Sequence, residues 1–344
     1  MLTEMLGIDS RTARATWTIF LFILLLAFLY FVRRAILLFI LAIFFAYMLS
    51  PVVDFVQRFL PRRLSRTLSL AMVYVVLIAV LITGGVWLGS HLVEEATSLA
   101  TRLPDLLQQQ APVVNVFPFW LQPYVSTALD SVRQQIAAGA QNLMPLLKSA
   151  GVQIASIAGS LAFVVLVPIL SFFFLKDGSS MRSAILEMAA GSEHEPSIER
   201  FLDEMHILMA SYIRALFTLS VAASLTYFLF FEITGLQYAV LLAAIAAPLE
   251  FIPVLGPLAA SVSIVLVSAF TGYPHIIWLI VFLATYRIFQ DYVLQPFLMS
   301  SGVELHPLLI IFGAIAGEEL AGVWGMVLSV PVIATLRLLV RRLL

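Results

Sequence analysis

Cysteine is absent from the 344-residue chain, which excludes disulfides, thiolate metal sites and thiol nucleophiles, and leaves the redox compartment open. Charge is scarce: Asp, Glu, Lys and Arg make up 11% of the residues, against roughly 25% in a soluble domain. A net charge of −1, with no basic block longer than a few residues, excludes a nucleic-acid surface or a polyanionic partner. The five histidines are scattered, so no metal site and no cofactor are read. Phosphate loops of the GxxxxGK type, HExxH helices and GxSxG elbows are all missing. The sequence therefore predicts no enzyme and no catalytic residue.

Apolar sequence fills the space left by charge, with 62% of residues hydrophobic. Charge-free runs cover 15–32, 35–53, 67–93, 149–175, 215–231, 233–249, 251–286 and 320–336, and most can supply the roughly 20 apolar residues that a bilayer crossing needs. The prediction is an all-α, polytopic integral membrane protein with about eight transmembrane helices and lipid as its main partner. Trp17 to Val32 follows Arg11 and Arg14 in the manner of a signal peptide. However, Arg33-Arg34 stand where a small-residue cleavage site belongs, so the run reads as a retained helix.

Three blocks follow: N-terminal transmembrane helices over 1–90, an extracytoplasmic amphipathic segment over 91–148, and a transmembrane transport core over 149–344 with a cytoplasmic acidic helical segment at 176–205. Arg58, Arg62, Arg63 and Arg66 around Pro61 mark a cytoplasmic loop. Two crossings before that loop place the N-terminus in the cytoplasm and Arg33-Arg34 at the outer face of the cell membrane. The middle block carries Glu94, Glu95, Asp105, Asp130 and four prolines, with apolar spacing at Leu99, Leu103, Leu106 and Leu107 that predicts amphipathic helices. These lie along the membrane surface, with Phe117-Pro118-Phe119-Trp120 at headgroup depth, or pack against sister subunits. A turn is expected at Lys176-Asp177-Gly178, ahead of the acidic segment.

After Leu236 the apolar pattern is interrupted at Pro248, Pro253, Gly256 and Pro257, and again at Gly313, Gly317, Gly322, Gly325 and Pro331. Interrupted or re-entrant helices are expected there, and 236–272 reads either as two spans or as a re-entrant hairpin. The two regions share a faint likeness, Ala244-Ile245-Ala246 before Glu250 and Gly256, and Ala314-Ile315-Ala316 before Glu319 and Gly325. Paired interrupted segments point to a transport site, because broken helices turn backbone dipoles toward a bound solute or ion, and irregular backbone survives in a membrane only where it is buried or lines a cavity.

Glu250 is the only charged residue between Glu232 and Arg287. A central acidic residue costs about 2.5–3.5 kcal/mol to insert, which a partner, a proton or a water-filled cavity relieves; an interfacial hairpin tip is the plainer alternative. Arg287, Gln290, Asp291 and Gln295 follow on one predicted helix ending near Pro296, with Arg287 and Asp291 spaced for an i,i+4 ion pair. His306, before Pro307, either titrates near neutral pH or makes an interfacial hydrogen bond. Glu318 and Glu319 either bind a cation or cap an exposed turn, and Arg214 either lines the pathway or snorkels to the interface.

Tyr212-Ile213-Arg214, Ile252-Pro253-Val254-Leu255-Gly256-Pro257, Asp291-Tyr292-Val293-Leu294-Gln295-Pro296, Leu305-His306-Pro307 and Gly322-Val323-Trp324-Gly325-Met326 through Pro331, in that order and spacing, resemble the autoinducer-2 exporter family of bacterial membrane proteins. The layout matches over nearly the whole chain. The resemblance implies an all-helical transporter of roughly eight spans, a homo-oligomer, with members assigned to autoinducer-2 export and others to sodium/proton antiport. Two positions depart from the family pattern: Ala215 and Leu216 replace the glycine and glutamine that commonly follow Tyr-Ile-Arg, and Glu250 lies in a stretch usually uncharged.

These features predict a secondary transporter for a small solute, in which the broken segments around 248–257 and 313–325, with Gln290 and Asp291, form a site reached alternately from each side, and Glu250, Glu318 and Glu319 bind or relay a proton or sodium ion. A cation/proton antiporter without an organic substrate is the alternative within transport. A membrane scaffold that recruits partners through 91–148 and 176–204 is the alternative outside it.

Overall fold

A computed structural model describes residues 10–59, 66–108, 112–135, 165–298 and 305–343. Among these residues the chain is almost wholly helical and contains no strand, as expected. The arginine loop around Pro61, residues 149–164 of the expected span 149–175, and Gly302-Val303-Glu304 fall outside the described residues.

The helices are α1 (Ser10–Phe59), α2 (Arg66–Gln108), α3 (122–135), α4 (Val167–Ala189), α5 (Glu195–Thr234), α6 (Ala239–Leu249), α7 (Leu255–Phe270), α8 (Ile276–Leu298) and α9 (Pro307–Leu343). Six stretches among them are long and apolar enough to cross a membrane: Arg14–Arg33 and Ala35–Phe59, both on α1, then Thr67–Arg102, Glu195–Thr234, Ile276–Leu298 and Pro307–Arg342. Two shorter apolar helices, α6 and α7, accompany them. At 11 and 16 residues they reach about 16 and 24 Å, short of the ~30 Å hydrocarbon layer. Segment 236–272 is thus a helical hairpin, neither limb of which matches that thickness.

The structure corrects three boundaries. No turn separates the first two apolar runs: α1 is one 50-residue helix through Arg33-Arg34, because nothing between Ser10 and Ser50 is glycine or proline and arginine is a good helix former. Likewise α2 does not end near residue 90 but continues to Gln108. The expected turn at Lys176-Asp177-Gly178 lies inside α4, since one glycine costs a helix only about 1 kcal/mol. The chain reverses instead after Ala189, and Arg182 on α4 ties the two arms by reaching Asp203 (2.8 Å) and Glu199 (3.3 Å) on α5.

Two apolar clusters organise the bundle. In one, Tyr227 and Phe231 of α5 pack with the buried alanines and leucines of α6, Ile264 of α7, and Leu279 and Tyr286 of α8. The apolar stripe of the polar insert, including Leu99, Leu106, Phe117 and Val125, packs on this same cluster. The insert therefore turns its apolar face toward the base of its own hairpin, while Phe119 and Trp120 stay exposed. In the other cluster, Leu41 and Phe44 of α1 and Tyr212, Ile213 and Leu216 of α5 meet Ile252 at the hairpin tip and Val327, Leu328 and Val330 of α9.

Candidate functional site

The α6–α7 hairpin begins where α5 stops. Gly235, at φ 68°, closes α5 while the Leu236 N–H returns to the Phe231 carbonyl at 2.9 Å, the 6→1 bond of a Schellman cap. Tyr238 starts α6 at φ 62° and offers it no side-chain cap. The cap comes from α2, whose Glu95 Oε2 accepts the Leu241 N–H at 2.8 Å, placing a carboxylate at the positive end of the helix dipole.

At the other end, Pro248 removes a backbone donor and α6 stops at Leu249. Ser220 of α5 donates its hydroxyl to the Ala247 carbonyl at 2.6 Å, satisfying one of the acceptors that a helix end exposes. The tip runs from Glu250 to Val254, whose φ of 65° is strained for a β-branched residue. The chain then passes so close to itself that a Cβ on Gly256 would lie 1.7 Å from the Leu249 carbonyl oxygen. Only glycine fits there, so the Gly256 expected to break the helix is the residue that lets the hairpin close.

This turn buries Glu250, which is 5% exposed, against Gln290 of α8, which is 2% exposed. Gln290 donates its Nε2–H to Glu250 Oε2 at 2.6 Å. Glu250 Oε1 and Gln290 Oε1 are buried and unpartnered among the described residues. One turn before Gln290, Tyr286 lies with its ring centroid 5.0 Å from that of Tyr227, and its buried hydroxyl, beside Thr226, makes no well-formed hydrogen bond. Phe230 and Phe282, stacked at 3.7 Å, extend the aromatic wall. Gln290 also opens a π turn, Gln290–Leu294, in which the Gln295 N–H bonds back to the Gln290 carbonyl. Pro296, lacking an N–H, cannot supply the ordinary i→i−4 bond to Tyr292, and such wide turns concentrate at functional sites.

Arg287 and Asp291 form the expected i,i+4 pair, with two contacts at 2.7 and 2.8 Å. This bidentate ion pair flanks Gln290 on α8, the residue that holds the buried carboxylate. The arrangement provides two acceptor oxygens, one of them on a titratable carboxyl group, next to a helix break and an aromatic wall. A proton or a small cation is the chemical complement of such a group.

The other expected residues lie elsewhere. Glu318 and Glu319 are exposed near the tip of a second hairpin, since α9 folds at Ala321 and Gly322 (φ 61°) into two limbs. Neither is among the groups that bond to or act on Glu250. His306 is exposed and accepts the Leu308 N–H at 3.2 Å, capping the start of α9 at Pro307. Arg214 is exposed on α5 and bonds to the Ala210 carbonyl at 3.4 Å. The break at Gly322 matters differently: Trp324, Met326 and Val327, just beyond it, share a cluster with Leu249, Phe251 and Ile252. The two interrupted regions thus contribute to one apolar cluster near their tips, while their carboxylates lie apart. Tyr227, Tyr286, Ser220 and Glu95 were not expected in the site; of these only Tyr286, at i−4 from Gln290, carried a spacing signal.

The sequence pattern of AI-2E family transporters matches residues 19–344. The chain is 25% identical to the transport protein YueF by name, of Bacillus subtilis, over 338 residues, covering 93% of this chain and 91% of YueF. It is also 25% identical over 296 residues to the AI-2 transport protein TqsA of Escherichia coli, covering 85% of this chain and 81% of that one. A third relative, named as the permease PerM of Escherichia coli, is 29% identical over 192 residues, 54% of this chain and 53% of PerM. Membrane transport, rather than scaffolding, is the activity these relatives are named for. With a match that spans nearly its full length and a helical architecture built for the bilayer, the chain belongs to the AI-2E family of transporters.

Proposed function

We propose that this protein is a secondary transporter of the cytoplasmic membrane that moves a small solute and couples its movement to a proton or sodium ion at Glu250. The observation that carries this reading is the Glu250–Gln290 contact. A buried carboxylate at the tip of a broken helix has one oxygen held by an amide from another helix and one oxygen without a partner among the described residues. Such a group is costly to leave charged in an apolar surround. A proton or cation relieves the cost, and exchanging it alters the hydrogen bond that joins the hairpin tip to α8. Asp291 and Arg287 tune the field, and Tyr286 supplies a further hydroxyl.

Autoinducer-2 is the first solute to test, since TqsA is named for its transport. The described helix Arg14–Phe31 has every one of its side chains exposed, which supports a homo-oligomer or a lipid sheath around the N-terminal region. A cation/proton antiporter is the second reading, supported by the two buried unpartnered oxygens of Glu250 and Gln290.

Reconstitution in proteoliposomes tests coupling. Autoinducer-2 flux driven by an imposed proton or sodium gradient is expected in the wild type, and Glu250→Gln is expected to lower the gradient-driven component about tenfold or more, the equivalent of 1.4 kcal/mol. Gradient-driven flux unchanged in Glu250→Gln would remove Glu250 from the mechanism. Proton movement on adding sodium or lithium, with no organic solute present, would select the antiporter.

A further inference from the structure

Away from the hairpins, the end of α9 docks on the beginning of α5. Arg342 bonds Glu204 Oε1 at 2.8 Å, donates to the Ser197 carbonyl, and lies over the Phe201 ring at 5.7 Å. Around this joint is a cleft of about 360 Å³, lined by Ser197, Arg200, Glu204, Leu338, Arg341 and Arg342. Three guanidinium groups therefore face one carboxylate, and that carboxylate is already engaged.

The other acids of this turn do not offset the excess. Glu199 and Asp203 project from a different face of α5 and are taken by Arg182 of α4. Arg200 spends only its Nε–H, on the Pro196 carbonyl at 3.1 Å, leaving its terminal nitrogens available. Arg341 makes no hydrogen bond or ion pair among the described residues and is exposed. Docking the C-terminal helix accounts for Arg342 alone.

The level of the cleft indicates what occupies it. On α5 the uncharged stretch Met205–Ile213 starts immediately after Glu204, and on α9 the charge-free run ends at Leu336. Arg341 and Arg342 are thus about 8–9 Å beyond the end of that run, a distance that suits the depth of lipid headgroups. Guanidinium forks match phosphate oxygens in pairs, and basic pockets between membrane helices take anionic headgroups.

We propose that this cleft is a binding site for the phosphate of an anionic membrane lipid, held by Arg200 and Arg341, with Leu338 against the glycerol and first acyl carbons. The lipid would seal the joint between α5 and α9. The site stands apart from Glu250, so it does not depend on which solute is carried.

Native mass spectrometry of the full chain in detergent, with phosphatidylglycerol or phosphatidylcholine added in equal amounts, tests the proposal. Wild type is expected to retain phosphatidylglycerol where phosphatidylcholine is stripped, and the double variant R200Q/R341Q to lose about tenfold in occupancy, with R182Q as a matched control that keeps it. Raising salt from 0.1 to 0.5 M should strip the lipid from wild type, since screening shortens the reach of these charges; this measurement does not depend on any variant folding. Equal occupancy in R200Q/R341Q and wild type, equal retention of the two lipids, or salt-insensitive binding overturns the proposal. Inorganic phosphate that occupies the site with the same arginine dependence and excludes the lipid would overturn the lipid assignment.

Discussion

At the scale of single residues, one hydrogen bond separates two roles for Gln290. If the amide only fills space, Gln290→Leu should be close to neutral, because leucine suits an apolar wall. If the amide holds the carboxylate, the substitution strands Glu250 Oε2 and is expected to cost about 1–3 kcal/mol, read as a lower melting temperature in detergent. In Glu250→Gln the same Gln290→Leu change should cost less, because a neutral side chain is cheaper to leave unpartnered, and the difference is the coupling energy of a double-mutant cycle. Additive losses would show that the contact carries no energy of its own. Both partners were legible in the sequence, since a lone glutamate in 54 residues otherwise free of charge and a glutamine inside an apolar helix stand out. Glu95 was not, because its role as the cap of α6 depends on a partner 146 positions away and on a left-handed Tyr238 that leaves the helix without a local cap.

At the scale of elements, the short repeat in the sequence acquires a structural meaning. After each Ala-Ile-Ala the chain reverses, and the glycine beyond the reversal presses on the opposite limb. A Cβ would lie 1.7 Å from the Leu249 carbonyl oxygen at Gly256, and 1.8 Å from the Gly317 carbonyl oxygen at Gly325. Ala246 and Ala314, the last or first alanine of each triplet, are buried at 1% and 0%. Both hairpins thus close through a glycine–backbone contact near the tip. Gly256→Ala and Gly325→Ala are each expected to destabilise by about 1–3 kcal/mol or more, visible as lost monodisperse protein. Gly178→Ala, where a Cβ meets nothing within 4 Å inside α4, should raise stability by about 0.5–1 kcal/mol. Equal behaviour of all three would show that the hairpins do not need their close approach. The breaks themselves were legible, because proline and glycine act locally. The fold at Ala321-Gly322 rather than at the neighbouring glycines was not, since several glycines offer the same freedom and only packing selects among them.

At the scale of the whole molecule, apolar content fixed the class of protein, but charge misplaced a turn. Arg33-Arg34 interrupt hydrophobicity without interrupting the helix, because a charged pair changes the environment a segment prefers and leaves its backbone hydrogen bonds intact. Arg33 even lies 4.1 Å from the Tyr30 ring centroid, a cation–π contact one turn back on the same helix. A continuous α1 and a pair of antiparallel crossings make opposite demands on distance. Along one helix Thr16 and Val52, both exposed, are 36 residues apart, or about 54 Å; in an antiparallel pair they would be near neighbours. The cysteine-free chain allows spin labels at Thr16→Cys and Val52→Cys without background, and electron–electron distance measurement in lipid nanodiscs is expected to give a distribution centred near 54 Å. A distribution below about 20 Å would restore the turn at Arg33-Arg34 and with it a cytoplasmic N-terminus, because two crossings then precede the arginine-rich loop. The long distance would instead put residues 14–33 in line with the span that follows, so that their apolar surface, uncovered among the described residues, is enclosed by lipid or by neighbouring copies.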